Sequence, residues 1–179
     1  MPTQQDAISM LKADHEKVRG LLAQLESSSE RSTSRREALL QEIAHAVEIH
    51  TTIEEEIFYP AYRDAVKKKD DKKLYQEALE EHHVVELVMP EIEETDPSTE
   101  VFAAKAKVLK DVIEHHADEE EKEMFPRAKK VLEKEELREL AERMEARKAE
   151  LEGMRSDESE EEDEEEDEDM DESEDEEEE

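Results

Sequence analysis

Four stretches of this chain carry apolar side chains at steps of three and four residues, which places them on one face of an α-helix. In each stretch one position of the apolar stripe is a histidine: His15, His50, His82 or His116. Four such helices joined by short connections favour an all-α fold, an antiparallel up-down-up-down four-helix bundle. The apolar positions are Ile8, Leu11, Val18, Leu22 and Leu25; Leu40, Ile43, Val47, Ile57 and Ala61; Leu79, Val85, Met89 and Ile92; and Phe102, Ala106, Leu109 and Ile113.

Local signals mark where these helices begin and end. Asp6 is a suitable N-cap for the first helix, and the serines at 27–29 are expected to end it. The second helix is predicted to begin near Ser34 and the third near Asp71. Residues 96–98 combine Asp, Pro and Ser, which predicts a break before the fourth helix.

Composition excludes several other classes of protein. The chain has only two glycines, which argues against a β-rich fold with many turns. It has no cysteine, so disulfides, zinc thiolate sites and iron–sulfur clusters are excluded. The formal net charge of −33 argues against nucleic acid as a partner, because binding its backbone requires Lys and Arg.

The C-terminal part of the chain differs from the bundle. A further amphipathic helix is predicted over 134–151, with Leu137, Leu140 and Met144 on its apolar face. From Ser156 to Glu179 there are 20 acidic residues and no basic ones, which predicts a disordered tail. We therefore expect a bundle over 1–132, a helical extension over 133–153 and an acidic tail over 154–179. With no signal peptide and no run of about 20 apolar residues, the expectation is a cytoplasmic protein without a membrane partner.

The chain repeats one pattern of polar residues and resembles two copies of a helical hairpin. In the first helix of each copy, an acidic residue precedes the histidine. In the second helix, a glutamate follows the histidine by four residues, one turn further along the same face. A proline then follows that glutamate and is expected either to kink the helix or to end it. The matching segments are Asp14-His15 and Glu81-His82, and His50-x-x-x-Glu54 with Pro60 and His116-x-x-x-Glu120 with Pro126.

A bundle core built in this way would receive four imidazoles and two carboxylates. Burying these groups is costly unless they are paired or bound to a cation. A single histidine on an apolar face is usually a hydrogen-bonded core residue, and a single glutamate is usually solvated. Four histidines with two glutamates at repeated spacing instead favour a metal site, in which two carboxylates can bridge two ions. The candidate ligands are His15, His50, Glu54, His82, His116 and Glu120.

These motifs resemble the hemerythrin-like HHE cation-binding family over roughly residues 6–130. Besides the histidines and glutamates, the resemblance includes Phe58-Tyr59-Pro60 and Phe125-Pro126. It implies a four-helix bundle with two non-haem iron ions, the four histidines as terminal ligands and Glu54 and Glu120 as bridges. Glu86 stands where oxygen-carrying hemerythrins have a further histidine, so the resemblance favours the subclass with fewer histidines.

Several nearby residues remain open. Oxygen-carrying hemerythrins place a carboxylate where this chain has Glu121, whereas the internal repeat indicates Glu120. The sequence leaves undecided whether Glu86, His83 or Glu121 joins the metal ligands. His45 points away from its stripe and is expected to be a surface residue. His83 and His115 lie one step off their stripes and either contact the metal ligands or are exposed, with exposure favoured.

Three functions follow as hypotheses. The first is a binding or sensing module whose di-iron centre meets oxygen, nitric oxide, peroxide or iron itself. The second is a di-iron enzyme that consumes peroxide or oxidises iron; its Glu-x-x-His pairs, however, fit the ferritin-like plan badly. The third is an interaction protein whose acidic tail contacts basic proteins. The sequence does not indicate an oligomeric state.

Overall fold

A computed structural model describes the backbone of residues 5–174 and the side chains of residues 5–154. These residues form helices and no strand, which confirms the all-α prediction for this part of the chain. Two segments are π-helical: π1, Glu54–Phe58, and π2, Glu120–Met124. The α-helices are α1 (Ala7–Ser27), α2 (Thr33–Ile53), α3 (Tyr59–Ala65), α4 (Lys69–Glu93), α5 (Glu100–Glu119), α6 (Phe125–Val131) and α7 (Lys134–Glu174).

The helix ends follow the local sequence signals. The Asp6 carboxylate accepts a hydrogen bond of 2.7 Å from the Ser9 backbone N–H, which confirms it as the N-cap of α1. After the break at 96–98, the Thr99 hydroxyl caps α5 by accepting from the Phe102 N–H at 3.2 Å. The second and third helices begin within two residues of the predicted positions.

Neither Pro60 nor Pro126 ends its helix. A proline lacks an N–H, so one carbonyl of the preceding turn loses its usual partner. In both hairpins a π turn lies directly before the proline: the Tyr59 N–H donates to the Glu54 carbonyl, and the Phe125 N–H donates to the Glu120 carbonyl. The helical course then continues through α3 and α6. Of the two predicted outcomes, ending of the helix is therefore wrong.

The four long helices of the bundle contact one another in a ring. α1 contacts α2 and α5, and α4 contacts α5 and α2. The up-down-up-down order of these helices stays a prediction. Every apolar stripe position is buried except Ala61 and Leu79, which are partly buried.

A polar layer divides the core into two apolar clusters. One cluster surrounds the π segments and includes Leu11, Phe58 and Phe125. The other lies further along the bundle and includes Val18 and Ile113. In α1, His15 stands between Leu11 of the first cluster and Val18 of the second. The same holds for the other three histidines, so the polar layer crosses all four helices.

The chain separates into two compact units, Met1–Met144 and Glu145–Glu179. The predicted apolar face of the fifth helix is confirmed in the first unit, where Leu137, Leu140 and Met144 are buried. α7 extends as backbone to Glu174, but most of the predicted acidic tail lies outside the residues whose side chains are described. Its disorder and the predicted domain boundaries stay predictions. Within the described part of the chain, no helix is long and apolar enough to cross a membrane.

Candidate metal centre

The four stripe histidines meet in two pairs inside the bundle. Nε2 of His15 lies 3.1 Å from Nε2 of His50, and Nε2 of His82 lies 3.1 Å from Nε2 of His116. Each histidine comes from a different helix, and each is at most 6% exposed. The pairs are possible because each histidine occupies a core position of its helix, where the side chain must point inward.

The two predicted glutamates lie between these pairs and are almost completely buried. Glu54 Oε2 is 3.3 Å from Nε2 of both His50 and His82. Glu120 Oε2 is 3.2 Å from His15 Nε2 and 3.6 Å from His116 Nε2. The structure thus brings all six predicted residues into one cluster, and each carboxylate reaches both histidine pairs.

Two groups of potential ligand atoms can be distinguished within this cluster. One contains His15, His50, Glu54 and Glu120, and the other contains Glu54, His82 and His116. In each group the ligand atoms lie within 4.8 Å of one another. The groups share Glu54, which is the arrangement expected of a carboxylate that bridges two ions.

An outer set of carboxylates faces the other nitrogen of each histidine. Of these four acids, the sequence analysis named three without predicting a contact to a histidine, and it did not consider Glu55. The sequence did carry a signal for them, because two of the acids directly precede a histidine and two directly follow a predicted bridging glutamate. The contacts to Nδ1 are Glu121 to His15 at 3.0 Å, Asp14 to His50 at 3.5 Å, Glu55 to His82 at 2.7 Å and Glu81 to His116 at 2.8 Å.

These outer contacts decide which nitrogen is available to a metal. In their neutral form His82 and His116 each donate their Nδ1–H to a carboxylate, which leaves a lone pair on each Nε2. Two lone pairs that face each other at 3.1 Å cannot hydrogen-bond. In addition, Glu54 Oε1 and Glu120 Oε2 are buried with no hydrogen-bond partner. Cations held by these imidazoles and carboxylates would offset the cost of burying them, so the residues fit a metal centre.

The two buried glutamates differ in the direction of their pKa shifts because their charged neighbours act on them differently. Burial, followed by the charge of Glu120, raises the pKa of Glu54 well above its usual value. Burial also acts to raise the pKa of Glu120, but the histidines, first of all His116, outweigh it and lower that pKa. Burial lowers the pKa of His50 to about 4, so that its imidazole is neutral at pH 7. A neutral imidazole is the form that binds a metal.

Tyr59 is a member of the site that sequence reasoning missed. Its hydroxyl donates to Glu120 Oε1 at 2.9 Å and lies 3.3 Å from His82 Nε2. In an α-helix Tyr59 would point about 140° away from Glu54, five residues earlier. The π turn returns it to the same face, so no α-helical pattern could have found it.

The residues left open by the sequence lie outside the buried cluster. Glu86 is exposed and lies 3.5 Å from the exposed His83. Glu121 contacts His15 from outside, through Nδ1. His115 is exposed as expected, and His45, which is expected at the surface, is partly buried.

Comparison with known proteins agrees with this geometry. Residues 6–128 match the model of the hemerythrin HHE cation-binding domain. The chain belongs to this family. HHE domains are named for binding cations, and in this chain the cluster of buried histidines and glutamates is the candidate site.

Three relatives extend the comparison. A crystal structure of an HHE cation-binding domain-containing protein from Mycobacterium kansasii is 32% identical, with a TM-score of 0.72 over 83% of this chain and 88% of that one. An uncharacterized protein of Mycobacterium tuberculosis is 29% identical over 83% of this chain and 88% of its own length. A Nostoc protein named DNA nickase is 27% identical over 83% of this chain. The chain spans only 40% of the length of that Nostoc protein.

Proposed function

We propose that this chain holds two non-haem iron ions and binds or senses a small oxidising molecule, namely oxygen, nitric oxide or peroxide. One observation carries the proposal: two pairs of inward-facing Nε2 atoms share two carboxylates that each reach both pairs. His15, His50, His82 and His116 would be terminal ligands, and Glu54 and Glu120 would bridge. Imidazole and carboxylate together suit iron. When bound, a ferrous pair supplies electrons to an oxidising ligand.

A cavity beside this centre is lined by apolar side chains as well as by polar ones. A small cavity of about 30 Å³ lies beside the histidines and is lined in part by Val47, Val85 and Ile113. This volume matches one water-sized molecule, so only a very small ligand fits.

Arg19 also lines the cavity and is paired with Glu121 at 2.8 Å and with Asp118 at 3.0 Å. These ion pairs tie α1 to α5 and π2 beside the site.

A di-iron enzyme that consumes peroxide is the second candidate, and Tyr59 favours it. Its hydroxyl is a proton-bearing group inside a buried site. Burial raises the pKa of Tyr59 well above its usual value, so the hydroxyl keeps its proton at neutral pH. A protonated hydroxyl at this position can donate a hydrogen bond to a reacting oxygen atom.

Anaerobic loading with Fe²⁺ tests the proposal. We expect two irons per chain and a near-ultraviolet charge-transfer band that appears on exposure to air. A folded protein that holds fewer than two irons and lacks this band would contradict the proposal. Peroxide decay separates the two candidates: a binding module saturates after about one turnover, whereas an enzyme continues through many.

A further inference from the structure

A second group of potential ligands lies on the outer face of α4 and α5. His115 Nε2 is 3.6 Å from Glu81 Oε1 and 3.6 Å from Glu119 Oε1. One ligand atom of each residue lies within 4.8 Å of the others. The His115 side chain is 64% exposed and that of Glu119 is 36% exposed, so the group is open to solvent.

The distances from His115 Nε2 to the two carboxylate oxygens suit ligands of a shared metal ion better than a direct hydrogen bond. At 3.6 Å both contacts are too long to be hydrogen bonds. Two ligands of a tetrahedral ion, each bound at about 2.1 Å, lie about 3.4 Å apart. His115 and Glu119 also repeat the His-x-x-x-Glu spacing of the buried ligands, one position earlier in α5. Both side chains therefore lie on one helical face.

A groove in the protein surface leads to this group. Its volume is about 750 Å³, and its lining includes Val84, Val108 and Val112 together with five acids and one base, Lys73, which pairs with Glu77. An acidic cleft of this kind concentrates cations at its surface. The acidic lining residues are Glu77, Glu80, Glu81, Asp111 and Glu119.

Glu81 connects this surface group to the buried centre. Its Oε2 accepts the Nδ1–H of His116 at 2.8 Å, while its Oε1 faces His115. The other hairpin has no such group, because Ile49 and Ile53 occupy the positions that correspond to His115 and Glu119. Both isoleucines are buried. The arrangement is therefore a property of one hairpin and not of the shared ligand plan.

We propose that Glu81, His115 and Glu119 form an accessory site for a divalent transition-metal ion, through which ions pass on their way to the buried centre. The ligand set of one imidazole and two carboxylates suits Fe²⁺, Co²⁺ or Zn²⁺ better than Mg²⁺ or Ca²⁺. Binding at this site stands on its own geometry. Delivery to the centre rests on the proposed function, because it requires a centre to fill.

Titration of the full-length protein with Co²⁺ in the presence of excess Mg²⁺ tests this site, since Mg²⁺ suppresses binding by carboxylates alone. We expect three Co²⁺ per chain in the natural protein and two in the double variant His115→Ala, Glu119→Ala. The matched control is His83→Ala, Glu86→Ala, which removes another exposed His–Glu pair of α4. It should keep three. All three proteins carry the same acidic tail, so any binding there cancels in the comparison.

The rate at which the buried centre fills gives a second measurement, followed by the visible absorption of bound Co²⁺. The double variant should fill about tenfold more slowly, as expected when a steering site for a cation is lost. Equal stoichiometry in the natural protein and the double variant would overturn the accessory site. Loss of the third ion with an unchanged filling rate would overturn the delivery role. A natural protein that binds one ion, lost in the double variant, would instead contradict the proposed buried centre and leave the accessory site standing.

Discussion

The two helical hairpins supply the same inner set of residues but differ in what surrounds it. Each gives two buried histidines and one buried glutamate, with a π turn directly after the glutamate. Around them, Tyr59 of the first hairpin corresponds to Phe125 of the second. Both rings stack on a histidine, with centroids 5.5 Å from His82 for Tyr59 and 5.8 Å from His15 for Phe125. Only the tyrosine adds a hydroxyl to the cluster.

The outer carboxylates of the two hairpins also differ in their distances to the histidines. Glu81 holds His116 at 2.8 Å, whereas the shorter Asp14 stays 3.5 Å from His50. The buried histidines and glutamates are thus the same in both hairpins, whereas the residues that contact them differ. Two pairs of equivalent histidines can therefore have different surroundings. Substitutions in the buried residues should affect both hairpins alike, and substitutions in the surrounding residues should not.

Loss of a bridging carboxylate should have the largest effect, and it should be the same in both hairpins. Glu54→Gln and Glu120→Gln each remove a carboxylate that reaches both histidine pairs. We expect metal affinity to fall about 100-fold or more in either variant, because even outer contacts contribute about 10- to 100-fold. Metal analysis and calorimetry measure this. A variant that still retains two ions would show that its glutamate does not bridge.

Substitution of the outer carboxylates should lower metal affinity by different amounts in the two hairpins. Glu81→Gln should lower the affinity of the buried centre about 10- to 100-fold, because Glu81 orients His116 through a short hydrogen bond. Asp14→Asn should have a smaller effect, because its contact to His50 is longer. Competition with a chelator measures both, and the exposed Glu37→Gln serves as the control. Equal losses for Glu81 and Asp14 would contradict the asymmetry.

The Tyr59 hydroxyl should contribute to the stability of the metal-free protein. Tyr59→Phe keeps the ring that packs on His82 but removes the hydrogen bond to Glu120. The free energy of unfolding should decrease by about 1–3 kcal/mol, since this bond is made to a charged group. Urea denaturation in the presence of chelator gives the value. An unchanged midpoint would mean that the hydroxyl adds nothing to the fold.

Glu86 should have the smallest effect. Its side chain is 69% exposed and lies outside the buried ligand groups. Glu86→Ala should leave the metal content unchanged and the free energy of unfolding within about 0.5 kcal/mol. Metal analysis and urea denaturation check both values. A lost ion would place Glu86 among the ligands after all.

Much of this design could be predicted from local patterns. Helical periodicity put His15 on the face of Leu11 and Val18, and the structure buries all three. The repeat selected Glu120 instead of Glu121, and Glu120 lies between the histidine pairs. These inferences succeed because the position of a residue around its own helix follows from spacing alone.

The contacts across helices could not be predicted in this way. Which carboxylate faces which Nδ1 depends on how far each helix is rotated and shifted against its neighbours. His115 illustrates the limit: its exposure could be predicted, but its position beside Glu81 of another helix could not. Tyr59 illustrates a second limit, because the π turn changes the phase of the helix before Pro60.

The sequence by itself therefore determined the helices, their buried faces and the six polar residues those faces carry, since each is a property of one helix. The tertiary structure decided the outer carboxylates, the inward turn of Tyr59 and the group around His115. It did so because helix packing and one additional residue per π turn set distances that no single segment encodes.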